Sequence, residues 1–384
     1  MLDTVNVSLN LDHLRHNYAL AKTLAPAAQM FAVLKADAYG HGLLNIAHGL
    51  AHADGFAIIQ LDDALALRRA GFAQPILMLE GIDDARELVG VCAHQLTMVL
   101  RSHHQMDMLR TYQKQTPLRI WVKVKSNMNR FGFHPGEVID VLRELEAKPN
   151  VRLEGLMMHF PSADDLDRNL NAQWDEFRTL TTQTQLPFSV ANSAAMLRDA
   201  RTHGTLVRFG SALYGNNPFV DAKAFDTLQE FRPVMRFEAR IIGTARVLAG
   251  DALGYGGSFV AEKSMRVGVL GCGYGDGYPS SASTGTPVML RGVRTSIIGG
   301  VAMNVMFIDL EPVPDAQLGD WVTLWGDERL RIDEVAQSAG IRPEAIECGM
   351  AKKHHVHLIE EDSCAKLERS LIDTPSILAR VARF

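Results

Sequence analysis

The sequence predicts an α/β fold: an N-terminal (β/α)8 barrel of the TIM type, residues 1–230, followed by a mainly β domain, residues 231–384. Two observations lead to this prediction. In the first part of the chain, short apolar runs alternate about eight times with segments of helical periodicity, which is the pattern of strand–helix units around a barrel. From residue 231 onward, valine- and isoleucine-rich runs alternate with Gly, Pro and Asp turns and show little helical period.

Each candidate strand of the barrel is a short apolar run bounded by polar or turn-forming residues. In chain order these runs are Met30–Leu34, Gly55–Gln60, Pro75–Leu79, Leu96–Leu100, Arg119–Val124, Leu153–His159, Phe188–Asn192 and Thr205–Phe209. Between them, apolar residues recur with helical spacing, as at i, i+3, i+4 and i+7 from Val138. Asn10 is expected to cap the helix that begins at Leu11, and Pro135 to open the helix that contains Val138. A doubly wound open sheet stays as the alternative, because the order of the strands cannot be read from the sequence.

The second domain is predicted from a series of β-type runs. These are Met265–Leu270, Pro287–Leu290, Thr295–Ile298, Val305–Leu310 and Trp321–Leu324. The linker between the domains is expected near Asn216–Pro218. From about Glu360 onward, the chain mixes charged and apolar residues and fits either a terminal helix or a loose tail.

The composition argues against several classes of function. The 384 residues carry 39 Lys and Arg against 44 Asp and Glu, a net charge of −5, with no basic block of the kind that binds nucleic acid. No apolar stretch approaches the roughly 18 residues of a membrane span, and Met1–Val5 lacks the features of a signal peptide. The four cysteines are scattered without CxxC spacing, as in reduced thiols. We therefore expect a soluble cytoplasmic protein with no nucleic-acid or membrane partner.

Two further patterns do not match the motifs that they superficially suggest. The alternating glycines of Gly271–Gly277 lack GxGxxG spacing and lead into Pro279 rather than a helix, which argues against nucleotide binding. The three histidines of His354–His357, taken with Cys348, match no standard metal motif. No metal site is expected.

Residues suited to catalysis follow the ends of the candidate strands, which in a barrel meet at one mouth. Lys35 ends an apolar strand just before a glycine-punctuated turn, where desolvation lowers the pKa of an amine toward the range useful for covalent catalysis. Ser193 and the N–H groups of Gly210 and Ser211 follow the last two strands, where barrels commonly bind phosphate. A lysine and a phosphate site are the minimum for pyridoxal phosphate. The strand ends also lead to Tyr39, Lys123, Arg130, His159, Asn192 and Arg208.

Over most of its length the chain resembles the alanine racemase family of fold-type III pyridoxal-phosphate enzymes. The resemblance is densest in the lysine block Val33–Gly42 and in the block Gly273–Pro279, and the order and spacing of these two are highly specific. Further matching blocks are Met128–Gly132, Met157–Phe160, Ala191–Ala195, Val207–Gly210, Leu213–Gly215, Gly254–Gly256 and Val301–Met303.

The resemblance implies a pyridoxal-phosphate-dependent, two-base racemisation of a small amino acid, with L-alanine to D-alanine as the favoured reaction. Lys35 would bind the cofactor covalently and exchange a proton on one face of the substrate α-carbon. Tyr255 from the partner subunit of a head-to-tail homodimer would serve the opposite face. Two groups are needed because a planar carbanion loses its proton on one side and regains it on the other. The family implies D-alanine biosynthesis, although a catabolic role is equally compatible.

The resemblance also implies the roles of the surrounding residues. Arg208 would donate to the pyridine nitrogen, and His159, linked to Arg208, would supply the cationic surroundings that Tyr255 needs as a base. Lys123 matches a lysine that is carbamylated in many members of the family. The residues implied to bind the cofactor are Lys35, Tyr39, His159, Asn192, Ser193, Arg208, Gly210 and Ser211. Those implied to bind the substrate are Arg130, Met303 and Tyr274.

Several positions depart from the family pattern at the rim of the pocket. Lys125–Asn127 replace the usual Asp-Thr-Gly, Pro161 replaces an alanine, and Gly300 and Asn304 replace an arginine and an aspartate. A broad-spectrum, serine or basic amino-acid racemase of the same fold is therefore the alternative. A decarboxylase of this fold is disfavoured by Arg208, which stands where such enzymes tend to carry a glutamate. A small single-barrel cofactor carrier lacks the second domain, and an inactive paralogue is suggested only by the atypical C-terminal segment.

Overall fold

The computed structural model of the protein describes residues 4–112, 116–220, 230–351 and 353–360. Its strands, in chain order, are β1 (Val5–Asn10), β2 (Gln29–Val33), β3 (Gly55–Ile58), β4 (Ile76–Met78), β5 (Thr97–Leu100), β6 (Leu118–Lys123), β7 (Val151–Met157), β8 (Phe188–Ser189), β9 (Leu206–Phe209), β10 (Met235–Val247), β11 (Ala252–Leu253), β12 (Phe259–Val260), β13 (Met265–Leu270), β14 (Pro287–Leu290), β15 (Val293–Ile298), β16 (Met306–Asp309), β17 (Trp321–Trp325) and β18 (Val356–Ile359).

The helical segments are short and mostly follow the barrel strands. They are α1 (Leu11–Leu24), α2 (Lys35–Tyr39), α3 (Leu43–Gly49), α4 (Leu61–Arg69), α5 (Leu88–Ala93), α6 (His103–Thr111), α7 (Val138–Glu146), α8 (Asn171–Thr184), α9 (Ser193–Arg198), α10 (Ile332–Ala339) and α11 (Pro343–Gly349). None of the helices in the described residues is long and apolar enough to cross a membrane.

Strands β2–β9 form the barrel that the sequence predicts. Their order is β8-β7-β6-β5-β4-β3-β2-β9, with β2 paired in parallel to β9. The Thr205 N–H donates to the Phe188 carbonyl at 2.9 Å and the Arg208 N–H to the Ala191 carbonyl at 3.0 Å, so the sheet is nearly closed between β8 and β9. All eight predicted runs are strands, with ends shifted by no more than three residues. A doubly wound sheet would reverse its strand order part-way, so that alternative is wrong.

The interior of the barrel is filled by one face of its strands. On β2, Phe31 and Val33 join an inner cluster with Trp121 of β6, while the alternate residues Met30 and Ala32 pack toward the surrounding helices. This alternation is the period of two expected for a strand. Because apolar side chains fill the interior, the polar residues that follow the strands lie at the mouth of the barrel.

The helix starts agree with the sequence. The Asn10 side chain accepts a hydrogen bond from the His13 N–H at 2.9 Å and so caps α1. Pro135 opens a single 3-10 turn that continues directly into α7. These local signals were readable because a cap and a proline act over only a few residues.

A second, mainly antiparallel sheet occupies the C-terminal half, in the order β13-β16-β15-β14-β17-β10-β1-β18. The five β-type runs predicted there correspond to β13–β17. The 13-residue strand β10 pairs with β1 and β17 along its first part and with β13 along its second part. The prediction of a mainly β C-terminal half is confirmed. The possible terminal helix or tail beyond Glu360 lies outside the described residues.

The first strand of the chain, β1, belongs to this second sheet rather than to the barrel. It pairs antiparallel with β10, with Val5 opposite Ala239, and parallel with β18, with Val7 opposite Val356. Val7 and Leu9 are buried. No sequence pattern predicts this pairing, since it joins residues far apart along the chain. The division at residue 230 stays a prediction of where the domains meet.

Candidate active site

A cavity of about 320 Å³ lies at the mouth of the barrel, where the strands end. Ten of the residues selected from the sequence line it. They are Lys35, Tyr39, Lys123, Arg130, His159, Asn192, Ser193, Arg208, Gly210 and Ser211. Their convergence follows from the closure of the sheet, because the carboxyl ends of all eight parallel strands meet at one mouth.

Lys35 stands just beyond β2 and is half-buried. Burial lowers the pKa of its amine, and the positive charge of Arg130 lowers it further. The amine lies 5.7 Å from the centroid of the Tyr39 ring. A lysine with a lowered pKa is neutral for a larger fraction of the time, and the neutral amine is the nucleophilic and basic form.

The turn that carries Lys35 is left-handed. Four successive residues, Ala36 to Tyr39, have φ between 53° and 55°, and Gly40 follows with φ of 80°. Such a conformation is strained for residues other than glycine and persists only when surrounding contacts hold it. Hydrogen bonds within the turn contribute, including that from the Leu43 N–H to the Asp37 carboxylate at 2.8 Å. The segment α2 is therefore a single left-handed turn and not a right-handed helix.

Tyr39 extends from this turn toward the ends of β9. Its ring lies 4.9 Å from that of Tyr214, and the Tyr214 hydroxyl donates to the Val33 carbonyl at 2.9 Å. A Cβ at Gly210 would stand 2.9 Å from the Tyr39 hydroxyl oxygen, so the absence of a side chain at Gly210 makes room for this phenol. Burial raises the pKa of Tyr39, which keeps it protonated as a donor.

Arg208, near the end of β9, is buried and pairs with the half-buried His159, which follows β7. One guanidinium nitrogen of Arg208 donates to the carbonyl of Ser189 at 2.9 Å and to its hydroxyl at 2.6 Å. A second guanidinium nitrogen donates to the Met158 carbonyl at 2.8 Å and lies 3.3 Å from His159 Nδ1. Burial lowers the pKa of Arg208 to about 10, so it stays charged at neutral pH. Burial, then the charge of Arg208, lowers the pKa of His159 well below its usual value. The cation of this pair is Arg208.

Lys123 is the second lysine of the cavity and is more deeply buried than Lys35. Burial, followed by the charges of Arg208 and Arg130, lowers its pKa to about 8. Its amine lies 5.6 Å from the centroid of the Phe131 ring. A substantial neutral fraction of this amine is therefore expected near pH 8.

Hydroxyl and amide groups gather where β8 and β9 end. The Ser193 hydroxyl accepts from the N–H groups of Gly210 at 3.1 Å and Ala212 at 3.4 Å. The Asn192 side chain accepts from the Ala195 N–H at 2.9 Å and so begins α9. Small polar groups of this kind, with the Tyr39 hydroxyl nearby, are what an oxyanion such as phosphate requires.

Tyr255, Tyr274 and Met303 do not line the cavity. They lie in the C-terminal half, with exposed fractions of 88%, 43% and 56%. The Tyr274 N–H donates to the Ala302 carbonyl at 3.1 Å, which places Tyr274 beside the segment that contains Met303. Within one chain, the structure therefore does not bring these three predicted residues to the barrel mouth.

Four charged residues at the mouth were not selected from the sequence: Glu80, Asp164, Arg342 and Glu344. Arg342 donates to the Asp164 carboxylate at 2.7 Å, and the Ser211 hydroxyl donates to the Glu344 carboxylate at 2.5 Å. Arg342 and Glu344 come from the C-terminal half, at the start of α11. No local motif marks them, because only the packing of α11 against the barrel brings them to the cavity.

The described part of the chain contains no group of three or more His, Cys, Asp or Glu side chains arranged to hold a metal ion. Its cavity is lined by amines, guanidinium groups and hydroxyls, together with the carboxylates of Glu80, Asp164 and Glu344.

Comparison with known proteins identifies the family. Residues 9–218 match the model of the alanine racemase N-terminal domain, and residues 234–358 match that of the alanine racemase C-terminal domain. An alanine racemase from Laribacter hongkongensis is 42% identical over 354 residues, which cover 92% of this chain and 98% of that protein. The crystal structure of biosynthetic alanine racemase from Pseudomonas aeruginosa superimposes with a TM-score of 0.88 at 34% identity, covering 94% of this chain and 100% of that one.

A more distant structure shares the fold. It is the alanine racemase from Bartonella henselae with covalently bound pyridoxal phosphate, which has a TM-score of 0.81 at 24% identity and covers 93% of this chain and 100% of that one. Both halves of the chain thus match the two domains of one family, in the same order. The chain belongs to the alanine racemase family.

Proposed function

We propose that the protein is a pyridoxal-phosphate-dependent amino-acid racemase that interconverts L-alanine and D-alanine as a homodimer. The observation that carries this proposal is that Lys35, with its lowered pKa, lines the same cavity as the hydrogen-bonded Arg208 and His159. The names of its relatives support the reaction. A cytoplasmic location follows from the sequence prediction and stays a prediction.

The residues of the cavity fit pyridoxal phosphate. Lys35 supplies the amine that would attach it, and Tyr39, Ser193 and the region of Gly210 and Ser211 supply donors for its phosphate. A side chain at Gly210 would fill the space next to the Tyr39 hydroxyl, so that part of the cradle depends on glycine. The Bartonella henselae relative carries the cofactor covalently bound. When bound, pyridoxal phosphate draws electrons from the substrate α-carbon and so acidifies its proton.

Lys35 and Arg208 would have different roles in the cavity. Once its amine is free and neutral, Lys35 takes a proton from the substrate α-carbon or returns one to it. Arg208 stays protonated, so beside a pyridine nitrogen it donates a hydrogen bond and leaves that nitrogen without a proton. His159 Nδ1 accepts from Arg208 and keeps the guanidinium oriented.

The second base would come from the partner subunit. Tyr255 is 88% exposed and lies outside the cavity of its own chain, as do Tyr274 and Met303. Exposed aromatic and apolar side chains are characteristic of surfaces that a partner covers. In a head-to-tail dimer, Tyr255 of the partner subunit would reach the face of the substrate opposite Lys35, and Arg130 with the Met303 backbone would hold the carboxylate.

Lys123 would be carbamylated in the working enzyme and would support Arg130. Only a neutral amine adds carbon dioxide, and burial lowers the pKa of Lys123 to about 8. Protein incubated with 13C-labelled bicarbonate should then show a carbamate carbon signal that is lost in Lys123→Ala. A spectrum without such a signal would leave Lys123 as a plain buried lysine.

A racemase for serine or basic amino acids is the second candidate, because the mouth of the cavity holds the carboxylates of Glu80, Asp164 and Glu344. A side-chain ammonium could pair with one of them. Initial rates on L-alanine, L-serine, L-lysine and L-arginine at equal concentration separate the candidates, and we expect alanine to be fastest. The decarboxylase reading is disfavoured by the cationic Arg208, and the single-barrel carrier is excluded by the matched C-terminal domain.

The proposed function is tested through Lys35. The purified protein, supplied with pyridoxal phosphate, should gain visible absorbance and convert L-alanine to D-alanine. Lys35→Ala should lose the absorbance and lower the rate by at least about 10³-fold, since the group that attaches the cofactor is also a base. Lys263→Ala removes an exposed lysine and should behave like the parent protein. Racemisation that survives in Lys35→Ala would refute the proposal.

A further inference from the structure

A buried polar contact joins the turn that carries Lys35 to helix α11 of the C-terminal half. The two approach so closely that a Cβ at Gly40 would stand 1.9 Å from the Glu347 carbonyl oxygen. Beneath this crossing lie the side chains of His41 and Glu347, with exposed fractions of 0% and 2%. Neither lines the cavity, so neither is placed to touch a substrate.

The hydrogen bonds of His41 show which ring nitrogen carries the proton. Nδ1 lies 3.1 Å from the Ala38 carbonyl oxygen and 3.0 Å from that of Tyr39. Carbonyl oxygens only accept, so Nδ1 is the donor and, in a neutral ring, Nε2 is an acceptor. Nε2 makes no hydrogen bond with the described residues, and Glu347 Oε1 faces it at 3.7 Å. An acceptor buried without a donor is destabilising.

The surroundings of Glu347 on balance favour a protonated carboxyl group. Its Oε2 accepts from the Asn216 side chain at 2.7 Å, a contact that by itself lowers the pKa of the carboxyl group, but burial has a larger effect in the opposite direction. Burial, together with the negative charges of Glu344 on α11 and Asp333 on α10, raises the pKa of Glu347 well above its usual value. Burial lowers the pKa of His41 to about 4. The other titratable groups near this pair are Asp37, Tyr39, Tyr214 and Cys348.

Two tilted ring contacts connect His41 to the active site. The His41 ring lies 4.5 Å from that of Tyr214, which in turn lies 4.9 Å from that of Tyr39. The Tyr214 hydroxyl donates to the Val33 carbonyl, two residues before Lys35. A shift of His41 would therefore disturb both residues that the left-handed turn presents to the cavity.

We propose that Glu347 is a positioning residue whose protonated carboxyl group donates to His41 Nε2 and thereby holds the left-handed turn in place for Lys35 and Tyr39. The inference rests on the proposed role of Lys35. The hydrogen bond forms when the two side chains close from 3.7 Å to the roughly 2.7–3.2 Å of an ordinary hydrogen bond. It satisfies the nitrogen that otherwise lacks a donor.

The arrangement makes the turn sensitive to alkaline pH. A carboxyl group whose pKa is raised in the folded protein keeps its proton to higher pH than in the unfolded chain. Its contribution is therefore present at low pH and is lost as pH rises through the folded value. Beyond that point a carboxylate would face the Nε2 lone pair of His41, two acceptors with no hydrogen between them. We expect the turn to loosen and cofactor affinity to fall there.

Two substitutions separate this role from simple packing. Glu347→Gln keeps the shape: its amide donates to His41 Nε2 and its carbonyl accepts from Asn216, but it does not titrate. Glu347→Leu removes both hydrogen bonds. Pyridoxal phosphate is titrated into cofactor-free protein from about pH 6 to 9, with hydrogen exchange of residues 34–42 measured in parallel. At neutral pH the Gln variant should bind within about threefold of the parent and the Leu variant at least about tenfold more weakly.

The pH profile gives the signature that packing alone would not produce. Affinity of the parent should fall toward alkaline pH, whereas that of Glu347→Gln should stay level. The matched control is Glu176→Gln, which changes an exposed glutamate on α8 and should have the same pH profile as the parent. A Gln variant as weak as Leu, or a Leu variant as tight as the parent, would overturn the proposal.

Two remaining outcomes are also decisive. If Glu347→Leu does not fold, the Gln profile decides alone: a level profile supports the shared proton, and an alkaline loss like that of the parent overturns it. If the parent binds no pyridoxal phosphate, the proposed function fails. Hydrogen exchange of the cofactor-free protein then still tests Glu347, since residues 34–42 should exchange faster in the Leu variant than in the Gln variant.

Discussion

At the scale of single residues, burial lowers the pKa of several basic groups in the cavity, and to different extents. It lowers the pKa of Lys35, brings that of Lys123 to about 8, and drives that of His159 well below its usual value. Arg208 alone of these four keeps a pKa of about 10. The cavity therefore combines a buried guanidinium that stays charged with amines whose pKa is lowered, and proton exchange at carbon requires both kinds of group.

The carboxylate of Glu344 gives the first prediction at this scale. The Ser211 hydroxyl now donates to it at 2.5 Å, at the end of the cavity where we place the cofactor phosphate. A carboxylate there repels phosphate and competes for Ser211. Glu344→Gln should therefore bind pyridoxal phosphate about tenfold more tightly, as judged by titration of cofactor-free protein. The carboxylate and the phosphate would lie a few ångströms apart in a partly buried site, and the substitution removes their repulsion.

Glu146→Gln, on the exposed side of α7, is the control for that measurement and should leave affinity unchanged. Ser211→Ala should weaken binding and shrink the gain from Glu344→Gln. Unchanged or weaker binding by Glu344→Gln would mean that the phosphate does not approach this carboxylate.

The sequence identified the residues that follow the barrel strands but not those that come from elsewhere. Lys35, His159 and Arg208 could be selected because each stands at the end of an apolar run, and a barrel brings such ends together. Glu344 and Glu347 lie in α11, a seven-residue helix whose sequence has no distinguishing pattern. Glu344 lines the cavity and Glu347 lies outside it, and both positions depend on how α11 packs, which is a tertiary property.

At the scale of elements, the left-handed turn is the feature on which the geometry of the cavity depends. Its residues Ala36 to Ala38 would ordinarily favour a right-handed helix, so no reading of the sequence could anticipate their φ near 55°. The strands could be predicted because short β-branched and apolar runs bounded by turn residues strongly favour an extended backbone. The turn exists because α11, Tyr214 and His41 enclose it.

Gly40 tests how closely α11 constrains this turn. Gly40→Ala places a Cβ 1.9 Å from the Glu347 carbonyl oxygen at a φ of +80°. We expect a loss of at least about 3 kcal/mol in the free energy of unfolding, from the clash added to the strain. Denaturant unfolding measures this loss, and cofactor affinity should fall with it.

Gly71→Ala isolates the strain from the clash. Gly71 has a φ of +90°, but no atom lies within 4 Å of the position its Cβ would take. Its substitution should cost about 1 kcal/mol, the usual penalty for a left-handed non-glycine residue. Equal losses at the two sites would show that α11 yields readily and does not fix the turn.

At the scale of the whole molecule, the proposed catalytic groups are divided between the two halves of the chain. Lys35 lies at the barrel mouth, while Tyr255 is 88% exposed on the C-terminal half and does not line the cavity. The sequence assigned both residues through family motifs, but it carries no direct sign of how two copies meet. If the active site is shared between subunits, two chains that are each inactive should form a mixed dimer that is active.

Mixed dimers provide that test. Lys35→Ala and Tyr255→Phe chains, each inactive alone by at least about a hundredfold, should regain activity when they are dissociated and reassembled together. The mixed dimer has one site with both groups intact, so an equimolar mixture should approach a quarter of the parent activity by random pairing. Activity that stays at the level of the single variants after verified exchange would place Tyr255 outside the partner's site.

The place of β1 has a consequence for how the polypeptide matures. Its neighbours in the sheet are β10 and β18, so the earliest and the latest described strands lie side by side. On the ribosome, β1 emerges before the entire barrel, and both of its partner strands are synthesised after the barrel. Until then β1 is unpaired, and its backbone hydrogen-bonding groups are exposed. Nascent chains halted after β9 should thus protect barrel amides from exchange while residues 5–10 stay labile; early protection of those residues would show that β1 finds a temporary partner.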